Sequence, residues 1–227
     1  MEDLDGLRAA VQAHFEINTT VAHGFDHVAR VVKLAEYIAQ HENYDITEAS
    51  VAALLHDIGR TLQKHDKGHG PAGVPLASEL LDRFTDYNHG TKQRILDAVR
   101  DHSQAKTTGK LTHIVQDADM LDGLGAIGLM RAYTSKAYLP AYDPDNIVPT
   151  VGKRETNVHD LIAFQLEWVD MMHTNTGRSM AQKRGVFIQE FLRRFEQEVN
   201  CNDFLTLESK GASQQQEVSN YRLEHCG

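Results

Sequence analysis

We expect an all-α protein, built as a compact helical bundle with additional helices in its C-terminal part. Apolar residues recur three or four positions apart over most of the 227 residues, which is the period of amphipathic helices. No region alternates apolar and polar residues as a half-buried strand does. One segment, from Ala49 to Leu55, is apolar on nearly every side and therefore predicts a buried central helix.

Six helices are predicted before residue 135, and their approximate ranges are 2–16, 25–42, 47–57, 73–84, 91–102 and 110–133. Thr47 and Thr91 stand where two of them begin, and threonine is a common N-cap residue. The segment RTLQKHDKGHGPAG between the third and fourth helices is rich in glycine and polar residues, so it predicts a loop. Gly123, Gly125 and Gly128 predict close helix packing rather than a dinucleotide-binding loop, because no strand precedes them.

The last third of the chain predicts two more helices after a long irregular segment. Residues 135–156 contain three prolines and no periodicity, and such a segment in a compact domain usually serves function, so we expect a lid. Helices follow at about 157–173 and 178–199. The polar residues 208–227 predict a loosely ordered tail.

The expected organisation is a single domain over residues 1–207, with its core at about 20–135. The net charge of −9 argues against a nucleic-acid polymer as partner. No apolar stretch approaches the roughly 20 residues that cross a bilayer, and the acidic start MEDLDGL is unlike a signal peptide. The two cysteines make no disulfide framework, so we expect a cytoplasmic protein without membrane contact. A homodimer is left open.

Most of the 13 histidines precede residue 115, and several stand beside acidic residues. His23 and His27 are four apart, so they share a helix face or its entry turn, with Arg30 about one turn further on. His56 and Asp57 end the apolar helix. Helix-end electrostatics favours the histidine there but not the aspartate, so it explains only half of the pair.

A further group of aspartates follows His102, which ends another helix. Successive helical residues rotate by about 100°, so Asp119 and Asp122 of QDADMLDG lie near one another while Asp117 points away. Imidazole nitrogens and carboxylate oxygens bind divalent metals, and the absence of nearby cysteines disfavours structural zinc. We therefore expect a catalytic centre that holds Mn, Fe, Mg, Co or Ni with positions open to water.

The sequence HGFDHVARV, followed by LLHDIGR and QDADMLDGLGAIG, resembles the HD-domain metal-dependent phosphohydrolase superfamily. Its signature is a His, a His-Asp pair and a distant Asp, and the match covers about residues 20–135. The later segments TNVHDL and TNTGRSMAQKR resemble a bacterial subgroup of small, mostly uncharacterised HD hydrolases, up to about residue 200. The resemblance implies an HD-type helical bundle.

The resemblance also implies which residues hold the metal. The four ligands of the family fall on His27, His56, Asp57 and Asp119. Some members bind a second ion through additional histidines, for which His69 and His102 stand in suitable places. Certain dinuclear members have two consecutive histidines where this chain has Ser103 after His102, so a second ion is left open.

The resulting hypothesis is hydrolysis of a phosphate ester or phosphoanhydride in a small molecule, with a nucleotide favoured as substrate. A metal lowers the pKa of water and neutralises charge on phosphoryl oxygens. Asp57 would orient the attacking water, and Arg30 would hold a phosphate. Asp122 or His102 would act as acid or base. The alternatives are a di-iron oxygenase that also uses His69 and His102, and a nucleotide-sensing HD module without turnover.

Other side chains leave a choice between the site and the surface. His23 belongs either to the site or to the turn at the helix entry. The segment GRSMAQKR, with Arg178 and Arg184, either closes over the site or forms an exposed helix face, and the second is favoured. Seven residues are expected in solvent, namely Lys64, His65, Lys67, His89, Lys106, His113 and Arg131.

Overall fold

The computed structural model describes residues 3–17, 22–62, 68–148 and 156–204. Within these ranges it contains ten α-helices, one 3-10 turn (Ile58–Thr61) and no strand. The helices are α1 (Leu4–Ile17), α2 (Phe25–His41), α3 (Ile46–Leu55), α4 (His69–Phe84), α5 (His89–Asp101), α6 (Lys110–Asp122), α7 (Gly125–Ser135), α8 (Val158–Gln165), α9 (Trp168–Met171) and α10 (Asn175–Val199). The predicted all-α fold class is confirmed.

Helix α3 lies at the centre of the bundle. It packs against α1, α2, α5 and α6, and its apolar residues from Ala49 to Leu55 are buried, as predicted. Because α3 is apolar nearly all round, it can be covered by neighbours on every side. Its C-terminal end therefore brings His56 into the interior of the protein.

Two predicted N-caps are wrong by two or three residues. The side chain of Asp45, rather than Thr47, caps α3 by accepting from the Glu48 N–H at 2.8 Å. Asn88, rather than Thr91, caps α5 in the same way, and it accepts from the Thr91 N–H at 3.0 Å. Asp and Asn cap helices at least as well as Thr, so neighbouring cap residues compete for the start of each helix.

Helix α4 begins at His69 rather than at residue 73, within the segment expected to be a loop. Pro71 is tolerated because N–H groups of the first helical turn have no intrahelical acceptor. Gly59, just before this segment, and Gly70 within it allow close packing. A Cβ at Gly59 would collide with the carbonyl oxygen of His69, and one at Gly70 would collide with the backbone of α5. The backbones of the 3-10 turn, α4 and α5 can therefore touch.

The single helix expected over residues 110–133 is broken into α6 and α7. Helix α6 ends at Asp122, Gly123 caps its C-terminal end, and Leu124 is extended. Gly125 then begins α7 with a φ of +74°, a backbone conformation that favours glycine. A Cβ at Gly123 would collide with the ring of Trp168. The close packing predicted for these glycines is confirmed, although the continuous helix is not.

The helices after residue 156 are also more divided than predicted. The helix expected over residues 157–173 is split into α8 and the short α9, and α10 begins at Asn175 rather than at residue 178. Met1–Ile188 form one compact unit and Gln189–Gly227 form a second. The single domain expected over residues 1–207 stays a prediction.

Several predictions fall outside the described residues. Residues 136–148 contain no helix, but residues 149–155 of the expected lid are not described, so the lid stays a prediction. The same applies to the expected tail over 208–227 and to Lys64, His65 and Lys67. Among the helices that are described, none combines the length and the apolar character needed to cross a bilayer.

Replacement of Gly59 by alanine tests the contact between the 3-10 turn and α4. The added methyl group would overlap the backbone of His69, which cannot yield as the tip of a side chain would. We expect the free energy of unfolding, measured by urea denaturation, to fall by about 3 kcal/mol or more. Gly90→Ala is the matched control, since a Cβ there meets only side-chain ends, the nearest at 3.2 Å. Equal losses in the two variants would contradict the packing argument.

Candidate metal centre

Three parts of the bundle bring the four predicted ligands together. His27 lies in the first turn of α2, His56 and Asp57 follow α3, and Asp119 lies near the end of α6. The Nε2 atom of His27 lies 3.3 Å from Oδ1 of Asp119. Oδ2 of Asp57 lies 3.6 Å from Nε2 of His27 and 3.7 Å from Nε2 of His56. These four side chains can therefore direct one nitrogen or oxygen atom each to a common ion.

Hydrogen bonds fix which nitrogen of each histidine faces this cluster. Nδ1 of His56 donates to the carbonyl oxygen of Ala53 at 2.7 Å, and Nδ1 of His27 donates to Oδ2 of Asp122 at 2.8 Å. Nε2 of His56 is buried and has no hydrogen-bond partner among the described residues. A buried polar atom without a partner costs free energy. A divalent ion would satisfy this lone pair, so the residues present fit a metal.

Burial and charge oppose each other in the cluster. Burial disfavours a charged imidazole at His27, but three neighbouring carboxylates outweigh it and raise the pKa of His27 to about 10. Burial lowers the pKa of His56 to about 4, so this ring is neutral near neutral pH. Although burial opposes ionisation of Asp57, the surrounding histidines hold its pKa well below the usual range. The carboxylates are thus ionised and ready to bind a cation.

Asp57 directs its two oxygens to different neighbours. Besides His27 and His56, Oδ2 faces His23, whose Nδ1 lies 3.1 Å away. The side chain of His23 is 28 % exposed, and burial lowers its pKa. The structure therefore places His23 in the cluster rather than in an isolated turn, and on the side of the cluster that faces solvent.

The other oxygen of Asp57, Oδ1, faces the two histidines predicted for a second ion. Nε2 of His69 lies 3.2 Å from Oδ1, and Nε2 of His102 lies 3.4 Å from it. Oδ1 also lies 2.7 Å from Nε of Arg60. Asp57, His69 and His102 form a group that could hold a metal. The sequence interpretation missed Arg60, although its position three residues after Asp57 is a usable signal.

Asp122 lies behind His27 and connects it to two arginines. Its Oδ1 atom accepts from Nε of Arg30 at 2.7 Å, and Nη1 of Arg131 lies 3.1 Å from Oδ2. Arg30 also pairs with Asp26 at 2.8 Å. The expectation that Arg131 lies in solvent is wrong, since its side chain is 15 % exposed. A negative charge is unfavourable at the C-terminal end of a helix. The positive charges of the two arginines offset this cost for the carboxylate of Asp122.

Asp117 points away from the centre, as predicted. Its carboxylate accepts hydrogen bonds from the N–H groups of His173 and Thr174 at 2.8 Å, and from the Thr174 hydroxyl at 2.7 Å. The buried charge is thereby satisfied at the start of α10. Helix α6 therefore contributes to the His and Asp cluster on one side, through Asp119 and Asp122, and holds the start of α10 on the other, through Asp117.

The segment GRSMAQKR only partly forms the exposed helix face that was favoured. Arg184 is half-buried and donates to the carbonyl oxygen of Leu121, at the end of α6. Arg178 donates to the Met172 carbonyl oxygen at 2.9 Å. His89 and Lys106 are exposed as expected, whereas His113 is half-buried and stacks on His173, with ring centroids 4.1 Å apart.

The described residues define a class of protein, namely an all-α chain whose His and Asp side chains form clusters able to bind a metal ion. Residues 24–124, a little under half of the chain, match the family model of the HD domain.

Individual relatives agree with this match. The uncharacterized protein YpgQ of Bacillus subtilis (strain 168) is 29% identical over an alignment of 191 residues, and the match covers 78% of this chain and 84% of that protein. The crystal structure of B. subtilis YpgQ in complex with ADP has a TM-score of 0.68 and 26% identity, and the match covers 86% of this chain and 93% of that one. A predicted HD superfamily hydrolase from an uncultured Thermotogales bacterium has a TM-score of 0.65 and 28% identity, with 87% and 93% covered. The predicted resemblance is confirmed.

The raised pKa of His27 makes the stability of the metal-free protein depend on pH. A histidine pKa raised from 6.5 to about 10 adds stability that is fully present below pH 6.5 and is lost as the pH rises through about 10. Urea denaturation of chelator-treated protein should therefore give a falling free energy of unfolding between about pH 7 and about pH 10. His27→Gln should flatten this decline. An unchanged slope in the variant would assign the decline to other groups.

Proposed function

We propose that the protein is a metal-dependent phosphohydrolase that acts on a small phosphate ester or phosphoanhydride, with a nucleotide as the substrate. The observation that carries the proposal is the meeting of two imidazoles and two carboxylates around Nε2 of His56, which has no hydrogen-bond partner among the described residues. The match of residues 24–124 to the HD domain family model supports it. The complex of B. subtilis YpgQ with ADP supports a nucleotide ligand.

The residues that would hold the ion are His27, His56, Asp57 and Asp119. When bound, a divalent ion would lower the pKa of water and neutralise charge on the phosphoryl group. His27, His56 and Asp57 are buried, whereas the side chains of Asp119 and His23 are 30 % and 28 % exposed. The substrate would therefore approach from the side of Asp119 and His23, while the buried ligands exclude water from the opposite side.

Three residues expected to take part in chemistry have surroundings that favour other roles. Asp122 is buried, and its oxygens are taken by His27 and the two arginines, so we assign it to orienting His27. Arg30 pairs with Asp122 and Asp26, and would hold that carboxylate rather than a phosphate. His102 is buried beside Asp57, away from the exposed side, which disfavours proton transfer to a substrate.

The group of Asp57, His69 and His102 is the observation that favours the alternative of a di-iron oxygenase. Metal analysis distinguishes the two candidates. Two irons per chain with oxygen-dependent turnover would favour the oxygenase, and one Mn, Mg, Ni or Co with phosphate release would favour hydrolysis. A sensing module without turnover is less favoured because the predicted ligand set is present. A cytoplasmic location and a homodimer stay predictions.

Replacement of Asp57 tests the proposed ion in turnover. In Asp57→Ala, phosphate release from a panel of nucleoside mono-, di- and triphosphates should fall more than about 100-fold, since loss of outer-shell partners alone costs about 10- to 100-fold. Chelation should have the same effect, reversed by added metal. Asp82→Ala is the matched control, because Asp82 is exposed and pairs with Lys92. Full activity in folded Asp57→Ala would overturn the mechanism.

Replacement of Asp122 tests its orienting role. Asp122→Asn weakens the acceptor for Nδ1 of His27, so the Kd for Mn²⁺, measured by calorimetry, should rise about 10- to 100-fold. Asp117→Asn is the matched control, since it removes another buried carboxylate from the same helix but on the opposite side. It should lower the melting temperature and leave the Kd unchanged. Equal changes of Kd in both variants would indicate general loosening of α6.

A further inference from the structure

His23 is the histidine of the metal centre that reaches solvent. The four other histidines of the cluster are buried, namely His27, His56, His69 and His102. The His23 side chain lies in the turn before α2 and is 28 % exposed. It is therefore the cluster histidine that can touch a molecule arriving from outside.

A hydrogen bond to Asp57 fixes the tautomer of His23. An ionised carboxylate can only accept, so Nδ1 of His23 donates to Oδ2 of Asp57, 3.1 Å away. In the neutral ring, Nε2 then carries a lone pair and can only accept. This atom has no hydrogen-bond partner among the described residues, and it is accessible to solvent. His23 thus presents an unused acceptor on the exposed side of the cluster.

Two further contacts hold the His23 ring in place. The ring meets that of His27 edge-on, with centroids 5.3 Å apart and an angle of 85° between the planes. The carbonyl oxygen of Ala22, the preceding residue, accepts from Nε and Nη2 of Arg131 at 3.1 and 2.9 Å. Arg131 also pairs with Asp122, which holds His27. The turn is therefore tied to the network that orients a metal ligand, and Nε2 of His23 keeps a fixed position.

We propose that His23 orients the water that attacks the phosphoryl group, by accepting a hydrogen bond from it at Nε2. The inference rests on the proposed function. An ionised phosphoryl oxygen has no hydrogen to donate and cannot satisfy this acceptor, whereas water can. Asp122 and His102, which were expected to supply an acid or base, are buried. His23 is then a catalytic residue, and Arg131 is a positioning residue that acts through it.

Two substitutions separate the roles of the two ring nitrogens. Asparagine places its amide nitrogen near the position of Nδ1 and keeps a donor for Asp57, but it leaves nothing at Nε2. Glutamine reaches the position of Nε2 with an oxygen that can accept, but it loses the hydrogen bond to Asp57. At saturating Mn²⁺, kcat for nucleotide hydrolysis should fall about 100-fold in His23→Asn, because misplacement of a reacting group costs rate of this order. His23→Gln should keep most of kcat.

Binding supplies a second readout, namely the Kd for Mn²⁺ and for ADP, measured by calorimetry on full-length protein shown to be folded by circular dichroism. His23→Asn should leave both Kd values unchanged, so that its loss is confined to kcat. His23→Gln should raise the Kd for Mn²⁺ about 10-fold, because Asp57 loses a hydrogen-bond partner. His41→Asn is the matched control, since His41 is exposed at the other end of α2 and its Nδ1 donates to the Tyr37 carbonyl oxygen at 2.8 Å. It should change neither kcat nor Kd.

Three results would overturn the inference. The first is full kcat in folded His23→Asn. The second is an equal rise of the Kd for Mn²⁺ in the Asn and Gln variants, because His23 would then act as a metal ligand or through Asp57 alone. The third is no phosphate release from the wild-type protein with any nucleotide or metal, which would overturn the proposed function and this inference with it. The wild-type protein therefore distinguishes the two failures.

Discussion

The buried carboxylate of Asp57 is the constraint around which the bundle is organised. An ionised group that is 1 % exposed is costly unless positive or hydrogen-bonding partners surround it. Those partners come from the entry to α2, from α2 itself, and from the ends of α3, α4 and α5. Helices far apart in the chain must therefore end at one point. The close backbone contacts at Gly59 and Gly70 make this convergence possible.

A second layer of charges supports the first. Asp122 holds His27, and the arginines at positions 30 and 131 compensate Asp122, while Arg131 also donates to the carbonyl oxygen of Ala22 beside His23. The orientation of one imidazole thus depends on α2, α6 and α7 together. Such a network restricts rotation of His27 and fixes its tautomer, which are the properties that a metal ligand needs.

The structural features that depend only on periodicity and spacing could be predicted from the sequence. The burial of α3 follows from its composition, and the opposite directions of Asp117 and Asp122 follow from helical rotation. The meeting of His27 with His56 does not follow from periodicity, and only the family resemblance predicted it. The placement of Arg131 depends on the break between α6 and α7, which a regular helical pattern conceals.

Glycines and caps account for the remaining differences. Gly70 was expected to lie in a loop rather than in the first turn of α4, because its role in close packing depends on α5, which is distant in the chain. Asp45 and Thr47 are both good capping residues, so local preference could not decide between them. The pairing of Arg60 with Asp57 has the right spacing, but it requires a 3-10 turn that the sequence pattern does not distinguish from a loop.

The two-sided use of α6 also limits how the chain can change in length. A single-residue insertion between Asp117 and Asp122 would turn one carboxylate about 100° relative to the other. Either the hydrogen bonds from Asp117 to the residues at the start of α10 or the hydrogen bond by which Asp122 orients His27 would then be lost. Insertions and deletions should accordingly be excluded from this stretch during evolution, while the helix break at Gly123 is the nearest point at which added length could be absorbed without altering either attachment.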